Sequence, residues 1–204
     1  MKENRDTFFD RLAPVLDRKI FLKVKLAYIL AKYGHRWQIR MELDAAGQSM
    51  RYFEHPRRVA LILIDELQCF NPIMIITALL HDCIEDTHDI DYEFLNELFG
   101  QNVAHLVMLL SKVPKEGYIE RLLNCDDWRA LMVKVADRLD NLRHLDGCKR
   151  DFQRKQVEET REKYFPILER LLAITPEDKQ DSALRLQRDI FRYVEFYELR
   201  SSAR

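Results

Sequence analysis

Residues 72–80, Pro-Ile-Met-Ile-Ile-Thr-Ala-Leu-Leu, run without a charge and stop abruptly at His81-Asp82-Cys83-Ile84-Glu85-Asp86-Thr87. The rest of the chain is expected to be arranged around this stretch. An apolar run of this kind, entered through Asn71-Pro72, reads as a buried helix with Asn71 as cap and Pro72 at its first position. Imidazole and carboxylate groups at the end of a buried helix are costly to desolvate unless something pairs with them. A divalent cation is one such partner, because it accepts both nitrogen and oxygen donors. Other parts of the chain should then supply the missing ligands.

Periodicity makes the remainder helical. Phe8, Phe9, Leu12 and Leu16 lie at helical spacing, with Pro14 as a breaker. Ile20, Leu22, Leu26, Leu30 and Tyr33 repeat the pattern to Gly34, a stop. The polar stretch 36–51 has no long apolar face and reads as a loop with turns. Pro56 suits the first turn of a helix to about Gln68, which puts His55 at its start. Asp89 or Asp91 opens a short helix ended by Gly100, and residues 101–111 form another, stopped by Pro114. A short helix covers 116–124. Asp126 or Asp127 caps a longer one to about Leu145, with Leu131, Val135, Leu139 and Leu142 inside. A long helix follows over about 152–173, with Pro166 as its kink. Thr175-Pro176-Glu177-Asp178 starts a last helix over about 177–198. Its Phe191, Tyr193, Val194, Phe196 and Tyr197 read as core, a homodimer surface being the alternative. The class is all-α, a helical bundle of about eight to ten helices in one domain over 1–204.

Composition agrees. Only 5 Gly and 6 Pro among 204 residues, with many Leu, Glu, Arg and Lys, favour helices. A net charge of −1 gives no global attraction to nucleic acid or to an anionic membrane, so any anion site must be local. The four cysteines, Cys69, Cys83, Cys125 and Cys148, form no CxxC pair and read as reduced apolar residues. The charged start, Met1 to Asp6, has no apolar region after it, so no signal peptide is expected. No apolar run reaches the length of a membrane span, and a cytoplasmic location follows by default.

Four features carry candidate chemistry: His55, His81-Asp82, Glu85-Asp86, and Asp137 inside the apolar helix Val133-Lys134-Val135-Ala136-Asp137-Arg138-Leu139. Each has a bland reading when taken alone. A His before Pro is usually a cap or a surface residue. An Asp beside an Arg in a helix is usually in a salt bridge, and an acidic dipeptide is usually solvated. Together, two His and two Asp make a mixed donor set suited to Mn, Fe or Zn. Asn141 shares the face of Asp137 one turn later, and Lys134 lies one turn earlier.

The order His55, His81-Asp82, Asp137 resembles that of the HD metal-dependent phosphohydrolase superfamily. It is most similar to the (p)ppGpp hydrolase domain of RelA/SpoT homologues and small alarmone hydrolases. The resemblance covers about residues 20–170. It rests on Tyr52-Phe53-Glu54-His55-Pro56 with Val59-Ala60 and Ile62-Leu63, on 78–87 with its trailing Glu-Asp-Thr, on Phe99-Gly100 with 103–107 and Ser111-Lys112, and on the Lys-x-Ala-Asp-Arg-x-x-Asn-x-Arg pattern at 134–143. The resemblance implies one Mn²⁺ held by His55, His81, Asp82 and Asp137, with Fe, Zn, Co or Ni as substitutes. It implies that Glu85 and Asp86 orient or deprotonate the attacking water. It places Lys134, Asn141 and Arg40 at the nucleotide, Arg40 through the pattern Gly34-His35-x-x-Gln38-x-Arg40. Arg138 reads equally as a phosphate contact or as a carboxylate's partner, and His35 as a supporting or a plainly structural imidazole.

The implied reaction is removal of the 3′-pyrophosphate from guanosine tetra- and pentaphosphate. No synthetase-like stretch follows residue 170, so synthesis is not expected. The implied partner is a small nucleotide, with neither nucleic acid nor membrane. The chain departs from the family at Met41, where a second basic residue is usual, and in about six extra residues between Arg40 and His55. These departures keep two alternatives in view: hydrolysis of another nucleotide, such as an adenosine alarmone or NADPH, and a degenerate alarmone-binding module. The intact ligand set and the Glu85-Asp86 pair argue against the second.

Overall fold

Side-chain caps written into the sequence set where many of the elements begin. The structure, a computed structural model, describes residues 3–43 and 47–202. Met1 and Lys2 of the charged start, and Asp44 to Ala46 of the expected insertion, lie outside the described residues. The chain divides into two compact units, residues 1–38 with 52–116, and 39–51 with 117–204.

In the first unit, Asn4 caps α1 (Arg5–Asp10) through Asp6 N and Thr7 N, and Asp17 caps α2 (Arg18–Gly34). The helix α3 (Glu54–Leu61) continues through a π-helical turn at Ile62–Glu66. Asn71 caps α4 (Pro72–Leu80), whose Met74 to Leu80 are all buried, as the apolar run predicts. A one-turn helix α5 (Cys83–Asp86) follows the His81-Asp82 corner. Asp91 caps α6 (Tyr92–Phe99), and Gly100, at φ 91°, turns the chain into α7 (Gln101–Leu110). That positive φ suits glycine, which has no Cβ to clash. The core lies where α2, α3 and α7 pack on α4.

The second unit holds a hairpin and five helices among the described residues. Strands β1 (Ile39–Leu43) and β2 (Ser49–Arg51) pair antiparallel, Ile39 opposite Arg51 and Leu43 opposite Ser49, with an irregularity between. The helices are α8 (Tyr118–Leu123), α9 (Trp128–Arg143), α10 (Arg150–Glu159), α11 (Phe165–Ile174) and α12 (Gln180–Ser202). Asp127 caps α9 by accepting from Arg129 N. Twelve of the sixteen residues of α9 are buried, and α11 and α12 both pack on it.

The fold is all-α apart from that hairpin, as the sequence implies, and three local readings need correction. The stretch 36–51 is not only loop: Ile39, Met41 and Leu43 alternate with Arg40 and Glu42, a two-residue period short enough to pass unnoticed. The face of α2 predicted from Leu22, Leu26 and Tyr33 is exposed, and the buried face is Val24, Ala27, Tyr28 and Ala31. The small Ala27 and Ala31 lie on this buried face of α2, which packs against α4. The break in the long helix after α10 is a π-helical turn at Thr160–Tyr164, with Pro166 placed harmlessly in the first turn of α11. In α12, Val194 and Tyr197 are core as expected, whereas Phe191 and Phe196 are partly exposed. No helix among the described residues is long and apolar enough to cross a membrane.

Candidate metal centre

The corner between α4 and α5 brings three predicted ligands together. His55, in the first turn of α3, and His81 and Asp82, at the end of α4, are all buried. One donor atom from each lies within 4.8 Å of the others. His81 Nε2 is 3.1 Å from Asp82 Oδ2, and His55 Nε2 is 3.7 Å from the same oxygen. The two imidazole rings meet edge to face, 5.2 Å between centroids.

The donor chemistry fits a divalent transition metal. His81 Nδ1 lies 2.8 Å from the carbonyl oxygen of Ala78. A carbonyl only accepts, so Nδ1 carries the proton and Nε2 keeps the lone pair that a metal requires. Two imidazole nitrogens and a carboxylate oxygen within coordination reach suit Mn, Fe, Co, Ni or Zn better than Ca or Mg.

A layer of side chains supports the cluster. Tyr52 donates its hydroxyl to Asp82 Oδ2 at 2.8 Å. Burial, and then the negative charges of Asp82 and Asp86, push the Tyr52 phenol far above its usual range, so it remains a donor. The His35 ring stacks on Tyr52 at 4.7 Å, and its Nδ1 donates to Gln38 Oε1 at 2.7 Å. Gln38 in turn donates to the backbone oxygen of Asp86 at 2.6 Å. Burial lowers the His35 pKa, which keeps the imidazole neutral. His35 thus lies behind Tyr52, one contact removed from Asp82. Burial, with the charges of Asp82 and Asp86, raises the Cys83 thiol and leaves it unreactive.

The acidic pair sits on α5, one turn beyond Asp82. Glu85 accepts from both the backbone N and the Nζ of Lys112, each at 3.1 Å. Burial, and then the charge of Asp82, raise the carboxyl of Asp86 above its ordinary value, although the Tyr52 hydroxyl works the other way.

The remaining predicted residues cluster in the second unit. On α9, Lys134 Nζ donates to Asp137 Oδ2 at 2.9 Å, and Asn141 Nδ2 to Asp137 Oδ1 at 2.6 Å. Arg40, on β1, donates to Asn141 Oδ1 at 2.6 Å. Lys134 and Asp137 are both buried. The Lys134 ammonium lies 5.5 Å from the Tyr118 ring centre, and burial pushes the Tyr118 phenol up to about 12. Arg138 points elsewhere: it donates to Gln156 and Glu159 and stacks over Tyr164 at 3.9 Å. That selects its structural reading. His144 Nδ1 contacts the Asp140 carbonyl at 2.8 Å. Met41 is exposed.

Sequence reading missed Tyr52, Tyr118 and Lys112 as partners of the predicted groups. Tyr52 and Lys112 lie within matched motifs, but nothing in those motifs says what the two side chains touch.

Comparison with known proteins decides the family. The profile described as HD domain matches residues 27–173. This chain belongs to the HD domain family. The membership expected from the His55, His81-Asp82 and Asp137 order is thereby borne out. This HD domain is 34% identical over 180 residues to a GTP pyrophosphokinase rsh of Brucella melitensis, covering 82% of this chain and 22% of that protein. It is 33% identical over 161 residues to the bifunctional (p)ppGpp synthase/hydrolase SpoT of Escherichia coli, over 73% of this chain and 22% of that one. The chain thus spans about a fifth of the length of these curated relatives. A solved structure, a metazoan ortholog of SpoT that hydrolyzes ppGpp and plays a role in starvation responses, matches with a TM-score of 0.61 at 27% identity. That match covers 82% of this chain and 96% of the other.

Proposed function

We propose that this HD domain is a metal-dependent hydrolase that removes the 3′-pyrophosphate from guanosine tetra- and pentaphosphate, releasing pyrophosphate and GDP or GTP. The observation that carries the reading is the buried His55, His81 and Asp82 donor set, one helical turn from Glu85 and Asp86. The (p)ppGpp synthase/hydrolase activity named for SpoT and the ppGpp hydrolysis named for the metazoan ortholog support it. The single family match across 27–173 supports reading the chain as one HD-type domain. Asp137 is assigned as the fourth ligand on its motif at 134–143.

A divalent ion bound there, Mn²⁺ in this proposal, supplies an acidified water and shields phosphate charge. The protein's own groups do the rest. Glu85 and Asp86 orient the water or take its proton. Lys134 and Arg40 offset the charge of the diphosphate groups, and Asn141 contacts the ribose. His35 and Gln38 hold Tyr52, which orients Asp82. The substrate is a small nucleotide and the location cytoplasmic.

The exposed Met41 favours a second reading, in which the substrate is a different phosphorylated nucleotide, an adenosine alarmone or NADPH. Incubation of the purified chain and Mn²⁺ with ppGpp, an adenosine alarmone and NADPH, followed by chromatography of the products, separates the two. Pyrophosphate release from ppGpp is expected. Asp82→Ala should abolish it with the helical circular dichroism intact, and Asp137→Asn should reduce it at least tenfold. Turnover of none of the three nucleotides, by a chain that binds Mn²⁺, would remove the enzymatic reading.

A further inference from the structure

The outer face of α2 is apolar, exposed and regularly spaced. Leu22, Leu26, Ile29 and Tyr33 follow one another at intervals of four, three and four residues, and are 55%, 40%, 60% and 57% exposed. Single exposed apolar side chains need no explanation. A seam with this 3.5-residue repeat is different, because it is the pattern that one helix presents to another. The core of the first unit does not use it, since α2 packs inward through Val24, Ala27, Tyr28 and Ala31.

The flanks of the seam are basic. Arg18, Lys25 and Lys32 recur every seven residues along one side, and Lys19 and Lys23 lie on the other. No Asp or Glu occurs from Arg18 to Met41. The Lys25 ammonium lies 4.7 Å from the Phe21 ring centre, at the seam's edge. At the C-terminal end the seam opens into a cavity of about 300 Å³, whose apolar wall is Leu30, Tyr33, Trp37, Ile90 and Phe94. Asp86, His88 and Asp89 also line it. Arg36 stacks on Tyr33 at 3.9 Å and holds that ring at the cavity's edge.

We propose that this face docks an amphipathic helix of another protein, with an apolar seam, acidic flanks, and one large apolar side chain that fills the cavity. Helix-in-groove recognition works in this way, through anchors three and four residues apart, with one buried anchor dominating the energy. Charge selects the partner. In an antiparallel pair of two α2 helices, Arg18, Lys25 and Lys32 would face their own copies. In a parallel pair they would face Lys23. Like charges oppose both arrangements, whereas Glu or Asp at the partner's flanks satisfies either. The acidic Asp86 and Asp89 at the cavity argue for a neutral side chain over an anionic lipid surface.

A fluorescein-labelled three-heptad peptide with Leu on its seam and Glu on both flanks, titrated with the full chain and followed by anisotropy, tests this. Saturable binding is expected, weakening as salt rises. Ile29→Asp should weaken it at least tenfold, and the matching Lys-flanked peptide should not bind. The double variant Arg18→Glu/Lys32→Glu should weaken binding of the Glu-flanked peptide and narrow the preference. Leu22→Gln/Ile29→Gln, which keeps helix-forming residues, serves if Ile29→Asp loses helical signal. Absence of binding overturns the proposal, as does equal binding of both peptides or binding indifferent to these substitutions. Two further results overturn it by naming another occupant. One is a concentration-dependent dimer that Ile29→Asp dissolves. The other is flotation with phosphatidylglycerol vesicles that Ile29→Asp abolishes.

Discussion

The Tyr52 hydroxyl donates to the same Asp82 oxygen that lies 3.1 Å from His81 Nε2, so it fixes the orientation of a candidate ligand. Losing such an outer partner typically costs about 10–100-fold in metal affinity. Tyr52→Phe keeps the stacking on His35 and removes the hydroxyl that serves Asp82 and Asp86. It should weaken Mn²⁺ binding at least tenfold in calorimetric titration, with helical content unchanged; equal affinity would show that Asp82 orients itself. Lys134 makes the opposite kind of pair, a buried ammonium against a buried carboxylate. Lys134→Met takes the cation from beside Asp137 and should cost about 3–5 kcal/mol in urea melts without added metal. The residues that chemistry makes distinctive were legible in the sequence: His55, His81 and Asp82 fall in ordered motifs, and the fold brings them together. Their supports were not. Lys112 reaches Glu85 across 27 residues, and Tyr52 reaches Asp82 across 30, and spacing along a chain says nothing about such contacts.

Elements were easier to find than to orient. A helical period over 19–34 identifies α2, but this helix is apolar on two faces, and periodicity alone does not choose between them. Side-chain size is the second guide: the buried face of α2 carries the small Ala27 and Ala31, where Leu22 and Leu26 face outward. Ala31→Leu should therefore destabilise by about 1–3 kcal/mol through overpacking. Leu22→Ala, on the outer face, should stay within about 0.5 kcal/mol, and equal losses in chemical denaturation would mean that the faces are assigned wrongly. The junction of α10 and its π-helical turn adds a pH-dependent element. Burial alone would raise the carboxyl of Glu159, but the hydrogen bond and charge of Arg138, helped by Lys163, outweigh it and hold it below the ordinary carboxylate value. A depressed carboxyl contributes stability above its unfolded-state pKa and loses it as pH falls through the folded-state value. Glu159→Gln should then cost about 1–2 kcal/mol at pH 7, and the gap from the parent should narrow as the pH drops below about 4. A gap that stays constant from pH 7 to pH 3 would assign the loss to packing.

For the whole chain, few glycines and helical periods made the all-α class readable, while the joining of 39–51 with 117–204 was not, because the apolar Ile39 and Met41 of that hairpin are exposed and give no core pattern to read. The metal reading has its own consequence at this scale. A ligand that binds only the folded chain stabilises it in proportion to the logarithm of its saturation, about 2.7 kcal/mol at a hundred times the dissociation constant. In a chain of 204 residues each kcal/mol raises the melting temperature by about 2–4 °C. Saturating Mn²⁺ should therefore raise the midpoint by about 5–11 °C. A net charge of −1 leaves little room for general cation screening to produce such a shift. The imidazole donors add a second discrimination, because Ca²⁺ prefers oxygen and should give a much smaller rise at the same concentration. His55→Ala should remove most of the Mn²⁺ effect, and a chelator should return the parent chain to its metal-free midpoint. Differential scanning calorimetry of the two proteins with each ion checks all of this, and an Mn²⁺ shift that survives in His55→Ala, or is matched by Ca²⁺, would place the cation somewhere other than at the α4–α5 corner.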